Sequence, residues 1–385
     1  MNDILPWESA PHLPWQHFSS LADQWQALPS FLIGEYMFIA AALLALLHAS
    51  RRGKANILIW LAAVIAGTAN DLIFMALPLV DNFWQAQATL MWTPRLPVYI
   101  PCVYICFLYY PTVAARRIGL GPLATAALAG LAGSVFYAPY DIVGAKFLWW
   151  NWHDTDLSIA VRLLGAPVSS SLWVITFTSS FCWLVGRALP KDLNTEISGA
   201  MFAKGFALVA GLTTVAMMVQ ITIVQQLDGG TPGYFAFGAT IAIYATLIAV
   251  KWSAAAPRAV EADTLARNVV FAHFATLVLI MALFTPETHR SEGLHQPPGT
   301  CGIEVTDLTG SVRHQYLCAT DFDEDYTFAC TEPPADGTEW YTICGSAHTN
   351  FPLWLAGVTG LSGAGAWLFT MLFAAIGVNE KRRKA

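Results

Sequence analysis

The chain reads as an all-α integral membrane protein of about nine transmembrane helices. The N terminus is expected outside and the C terminus inside, with a small disulfide-stapled extracytoplasmic insert before the last helix. Three observations carry this. Of the 385 residues, 56% are apolar and only 12% charged, against ~25% charged in soluble domains. Apolar runs of about 20 residues recur, each long enough to cross a ~30 Å hydrocarbon core. Bases gather at every second boundary between runs, the pattern that marks cytoplasmic loops. Mean hydropathy is +0.50.

In chain order, residues 1–30 contain no Lys or Arg and so lack the basic start of a signal peptide. Trp7, Trp15, Phe18 and Trp25, interleaved with polar residues and prolines, predict a segment lying on the outer surface. An eight-helix bundle is predicted over 31–284, with spans near Phe31–His48, Ala55–Val80, Leu96–Ala115, Leu123–Asp141, Ala160–Val185, Met201–Val224, Tyr234–Trp252 and Val269–Phe284. The ninth span, near Leu353–Val378, belongs with a basic tail in 352–385. Arg51, Arg52 and Lys54 follow the first span, Arg116 and Arg117 the third, Arg187 and Lys191 the fifth, and Lys251, Arg258 and Arg267 the seventh. Lys381, Arg382, Arg383 and Lys384 follow the last. An odd number of spans agrees with opposite placement of the termini. The formal charge of −6 comes from acids gathered outside and bases inside, which argues against a nucleic-acid partner.

Residues 285–351 are polar, acidic and rich in Pro and Gly, and hold Cys301, Cys318, Cys330 and Cys344. An even set of cysteines in a small insert of this kind predicts two disulfides, with three pairings open. Within it, Asp321, Asp323, Asp325 and Glu332 stand at positions one, three, five and twelve of a calcium-loop pattern. Tyr326 occupies the position where that loop needs Gly. A solvated acidic turn is therefore the expected reading and calcium the alternative. The insert lacks an Asn-x-Ser/Thr acceptor, which points to a bacterial inner membrane with this insert in the periplasm.

The most charged boundary is Tyr140–Trp173, where Asp141, Lys146, His153, Asp154, Asp156 and Arg162 surround Trp149, Trp150 and Trp152. Indole rings favour the headgroup level, so the interface alone accounts for the tryptophans. The charges require another explanation. Glu35 lies one turn below the outer start of the first span, Asn70 and Asp71 lie in the second, Arg95 leads into the third, Asp141 closes the fourth and Arg162 opens the fifth. Ionisable residues at one membrane depth face a bundle interior or watery cavity and pair with one another. An ion-pair network that only fixes helix packing is the plainer alternative. We read Asp141, Asp71, Glu35, His153, Asp154 and Arg162 as candidate catalytic groups, and Asn70, Arg95, Trp149, Trp150 and Trp152 as candidate substrate contacts. His48 and His273 fall near the basic ends of their spans, where a bis-histidine haem is conceivable and hydrogen-bonded packing is expected.

The order of these features resembles the membrane-embedded carotenoid hydratases of bacteria and archaea, in an early Glu, a span ending in Asp, Trp-x-Trp, Gly-x-Pro and a further Trp. Here these are Glu35, Asp141, Trp150-Asn151-Trp152, Gly165-Ala166-Pro167 and Trp173, all in the first half of the chain. The family's Asp-Pro is Asp141-Ile142 here. The resemblance implies a lyase or hydratase acting on an isoprenoid. Its physical requirements are a carboxylic acid in an apolar pocket to protonate an alkene, and aromatic faces to stabilise the cation. The leading expectation is a protein that binds or modifies an isoprenoid or other lipid at the outer leaflet. A proton- or cation-coupled transporter, and an accessory subunit of a larger membrane complex, are the alternatives.

Overall fold

The computed structural model describes residues 12–76, 83–152, 156–255, 259–306, 312–318 and 325–376. A seven-residue helix α1 (Leu21–Ala27) is started by Ser20, whose hydroxyl accepts from the Asp23 amide. Nine longer helices follow among the described residues: α2 (Pro29–Arg52), α3 (Lys54–Ala76), α4 (Tyr99–Arg117), α5 (Pro122–Lys146), α6 (Val168–Ala188), α7 (Gly199–Val224), α8 (Tyr234–Trp252), α9 (Thr264–Leu283) and α10 (Phe351–Leu372). Eight of these are long and apolar enough to cross a membrane. The exception is α4, which carries Tyr99, Tyr104, Tyr109 and Tyr110 and two prolines.

The reason for the exception is position. Helix α4 packs against α2, α3, α5 and α6, while α7, α8, α9 and α10 complete the outer ring. A helix wrapped by protein has no lipid-facing side to keep apolar, so its hydroxyls survive by finding partners. Tyr110 donates to the Ala41 carbonyl at 2.9 Å and Tyr109 meets His48 at 2.7 Å. Polar glue also joins the outer helices: Ser179 on α6 and Gln220 on α7 each meet the Tyr244 hydroxyl on α8, at 2.8 and 2.7 Å.

The basic residues gather at one end of the bundle. There Arg117 donates to the carbonyls of Leu372, Ala374 and Glu261, supplying partners for the end of α10. Asp263 accepts from the Ala266 amide at the start of α9 and meets His48 Nε2 at 2.7 Å and Arg52 at 3.0 Å.

The opposite end carries the loops and the insert. Strand β1 (Phe83–Gln85) pairs antiparallel with β2 (Trp150–Trp152). Strands β3 (Arg162–Leu163) and β4 (Ala166–Pro167) form a hairpin turned by Leu164 at φ 55° and Gly165 at φ 98°. In the insert, β5 (Arg290–Leu294) pairs with β9 (Trp340–Gly345), which also pairs with β8 (Tyr326–Thr327), while β6 (Glu304–Thr306) and β7 (Val312–His314) form a separate hairpin. Of the three pairings left open, the cysteines adopt Cys301–Cys318 and Cys330–Cys344. The first brackets the β6–β7 hairpin. Bridges closing loops of this size contribute about 3 kcal/mol each in the chain-entropy account.

Several element limits differ from those expected. Helix α5 runs past Asp141 to Lys146, because Asp141 is enclosed by protein and marks no membrane boundary. Helix α6 begins at Val168, not near Ala160, because Leu164 and Gly165 take left-handed backbone and force a hairpin. Trp149 and Trp150 do not form an interfacial belt. The connector after α5 folds back into the bundle, leaving Trp149 0% and Trp150 3% exposed. Glycines make the room: a Cβ on Gly34 would sit 2.3 Å from the Trp149 ring, and one on Gly144 2.1 Å from that of Trp150.

The insert docks on the bundle through His289. Its ring packs edge-on to Phe147 and Phe284, and Nδ1 donates to the Thr285 carbonyl at 3.0 Å. Burial pushes the imidazole down to about 4, partly opposed by that hydrogen bond and by Glu287. A histidine lowered in the folded state binds its proton more readily when unfolded. Docking is therefore fully stable above the ordinary histidine range near 6.5 and weakens as pH falls toward 4. Hydrogen exchange of 285–294 is expected to accelerate across that window, and His289→Phe is expected to flatten the response.

Candidate functional site

At the loop-bearing end, α3, α4, α5, α6 and the end of α7 surround a cavity of about 570 Å³. Part of its wall is β1 and β2, and Val312 and Arg313 of the β6–β7 hairpin reach it from the insert. Aromatic rings form part of its lining, several of them in mutual contact. Trp173 lies 5.8 Å from both Tyr104 and Phe107, Tyr137 lies 5.2 Å from Tyr140, and Tyr140 lies 4.8 Å from Trp150. Tyr137 and Tyr140, three residues apart on α5, share a face of that helix.

Two carboxylates line this cavity, Asp71 and Asp156. Asp71 is 6% exposed, and its Oδ1 accepts from the Tyr104 hydroxyl at 2.5 Å. Asn70 donates to the same hydroxyl at 3.3 Å. Asp71 Oδ2 has no hydrogen-bond partner, although the Arg95 guanidinium bears on the carboxylate electrostatically. Asp141 is 1% exposed and lies outside the lining. Ser170, a lining residue, is its polar neighbour, yet neither Asp141 oxygen has a donor in hydrogen-bonding geometry. A second polar thread runs from Tyr140 through the Tyr99 hydroxyl at 3.3 Å to Gln85 Oε1 at 3.0 Å. Arg313 is held by Asp156 at 2.8 Å at the cavity edge.

The residues singled out from sequence separate into three groups. Asn70, Asp71, Trp150 and Trp152 line the cavity, with Asp141 next to its wall. The others go elsewhere. Glu35 accepts from the amides of Thr89 and Leu90, each at 3.1 Å, and so ties α2 to the loop before α4. Arg95 is buried outside the lining, and Arg162 reaches outward to Asp325 at 2.6 Å. Trp149 donates to Ser30 Oγ at 2.9 Å and stacks on Phe31. His153 and Asp154 lie outside the described residues, as do Asp321 and Asp323 of the calcium pattern. Of the other two, Asp325 is in the ion pair with Arg162 and Glu332 is exposed. Both ring nitrogens of His48 are engaged, by Tyr109 and Asp263, which leaves none for a haem iron. His273 stacks on Phe136 at 4.1 Å and hydrogen-bonds its carbonyl.

Sequence reasoning missed Tyr104, Tyr137, Tyr140, Gln85 and Arg313. A usable signal was the density of tyrosine in one apolar run, since each buried hydroxyl needs a partner. Arg313 carried no such signal, because it arrives from the insert through the fold.

Chemically, the arrangement is a cavity of mixed polarity, with a cluster of aromatic rings, two carboxylates and an arginine on its wall. A cavity of this size that combines apolar rings with placed polar groups has the character of a small-molecule site. No curated protein and no solved structure matches the chain. Residues 15–361 match the family described as Domain of unknown function (DUF7802), and the chain belongs to that family.

Proposed function

We propose that the cavity binds a hydrophobic molecule, an isoprenoid or another lipid, and holds its polar or reactive end against Asp71 and Tyr104. The single observation that carries this is an aromatic slot of about 570 Å³ with a carboxylate on its wall, one of whose oxygens accepts nothing. Asp71 is placed to exchange a proton with a bound ligand. Tyr104 orients that carboxylate, and Asp141 acts from behind Ser170. The resemblance to carotenoid hydratases suggests an isoprenoid as one such substrate, with Trp150, Trp152 and Trp173 as the shared wall.

The same reading carries a proposed topology. Helix α4, 19 residues long, spans about 28 Å at the helical rise and serves as the ninth crossing, at the centre of the bundle. The end bearing Arg52, Arg116, Arg117 and Arg187 faces the cytoplasm, and the insert faces the opposite side, the periplasm if the host is bacterial.

The test is mass spectrometry of what remains bound after purification in detergent. The wild-type protein is expected to retain a lipid-soluble molecule in stoichiometric amount. Asp71→Asn is expected to abolish its turnover, and Trp173→Ala to lose it from the protein, with helicity unchanged in both. Wild-type turnover by the folded Asn variant would remove Asp71 from the chemistry.

A further inference from the structure

The cavity wall has an electrostatic character that the lipid reading does not use. Ring faces carry the negative part of the aromatic quadrupole, and trimethylated ammonium groups are recognised by sets of such faces. Tyr104, Tyr137, Tyr140, Trp150, Trp152 and Trp173 all line the one cavity. Beside them, Asp71 Oδ2 is buried and accepts no hydrogen bond among the described residues. A carboxylate taken out of water without a full set of partners is costly, and a cation brought by a ligand offsets that cost.

The neighbouring side-chain cations have acids of their own. Arg313 is paired with Asp156 at 2.8 Å and Arg162 with Asp325 at 2.6 Å. Arg95 bears on Asp71 and Arg162 on Asp141 electrostatically. Of these, only Arg313 lies on the cavity wall. The rings and the Asp71 carboxylate thus line the same cavity, a combination suited to positive charge.

We propose that the cavity takes an organic cation of the quaternary ammonium class, its methyl groups against the Trp and Tyr rings and its charge met by Asp71. This rests on the reading of the cavity as a ligand site and specifies the polar end of that ligand. The cation can be a free small molecule or the headgroup of a lipid, since both present the same trimethylammonium group.

The test uses the full chain in a non-ionic detergent, titrated by intrinsic tryptophan fluorescence. The ligands are choline, its neutral isostere with tert-butyl in place of trimethylammonium, and geraniol as a neutral isoprenoid. Choline is expected to bind saturably and about tenfold more tightly than the isostere. Asp71→Asn is expected to erase that preference and Asp71→Glu to keep it. The choline–isostere comparison on the wild-type protein needs no variant to fold. Displacement of choline by a short-chain phosphatidylcholine supports the cation site with a lipid headgroup as its source. Failure to displace supports it with a free cation. Equal binding of choline and isostere, or a preference that survives Asp71→Asn, overturns the proposal. Binding of geraniol without choline overturns it and leaves the lipid cavity standing, whereas saturable binding of neither ligand overturns both.

Discussion

Asp263→Ala is expected to destabilise the bundle by about 4 kcal/mol, the range found when one partner of a buried ion pair is removed. Three connections end on this carboxylate: His48 Nε2 on α2 at 2.7 Å, Arg52 at 3.0 Å, and the Ala266 amide at the start of α9 at 3.3 Å. Because a carboxylate only accepts, His48 Nε2 donates to Asp263, and Nδ1 meets the Tyr109 hydroxyl at 2.7 Å. The substitution therefore strands a histidine and an arginine and uncaps a helix. Burial alone would raise the Asp263 carboxyl, but the His48 hydrogen bond and charge, together with Arg52, bring it down to about 2 from 3.8. A carboxyl lowered in the folded state contributes stability above its ordinary value, and loses it as pH falls through the folded one. Thermal unfolding in detergent is expected to weaken between about pH 4 and pH 2 in the wild-type protein. In the variant, unfolding occurs at lower temperature throughout and that acid step is absent.

Gly67→Ala is expected to destabilise by about 2 kcal/mol, and Gly67→Leu by about 3 kcal/mol or more, as overpacking does. A Cβ at Gly67 would lie 2.2 Å from Tyr104 Cβ and 2.3 Å from its Cγ, the rigid root of that side chain. Helices α3 and α4 must therefore move apart, and Tyr104 leaves its 2.5 Å contact with Asp71. Loss of stability and loss of ligand are expected together. Gly211 on α7 is the matched control, since a Cβ there has nothing within 4 Å. Gly211→Ala is expected to stabilise slightly, by up to about 1 kcal/mol, through helix propensity alone. Equal melting of Gly67→Ala and wild type would show that α3 and α4 do not need this close approach.

Much of the bundle was legible because a lipid-facing helix must be apolar over its length, and length is visible in a sequence. Depth could be counted as well, which brought Asn70 and Asp71 into consideration. Azimuth could not. Glu35 shares the loop-bearing end with Asp71 but turns toward the Thr89 and Leu90 amides, and nothing in its spacing revealed that. Apolar content was also a poor guide wherever protein, not lipid, was the surrounding medium. The run from Ile159 to Leu164 looked like the start of a span, yet Gly165-Ala166-Pro167 was the stronger signal for a turn. Trp149 and Trp150 were assigned to the headgroup level because composition does not distinguish that environment from a protein interior. The glycines that make room for them, Gly34 and Gly144, matter only through the fold. The cavity's tyrosines lay hidden in α4 and α5 for the same reason.

The seam over the cavity has a consequence for biosynthesis. Strand β1 and the residue after it are held from two directions. Phe83–Gln85 pairs with Trp150–Trp152, and the Ala86 amide donates to the Trp149 carbonyl at 3.0 Å. On the other side, Ala86 bridges to Gly293, and the Gln87 amide donates to the Glu292 carbonyl at 2.7 Å. A nascent chain that has delivered α2 through α8 to the bilayer already has most of the cavity wall but not Val312 and Arg313, which the insert adds. Residues 290–294 emerge only after α9, and their partner strand β9 later still, just ahead of α10. The newly inserted bundle therefore passes through an interval in which β1 is held by β2 alone and lacks its second support from the insert.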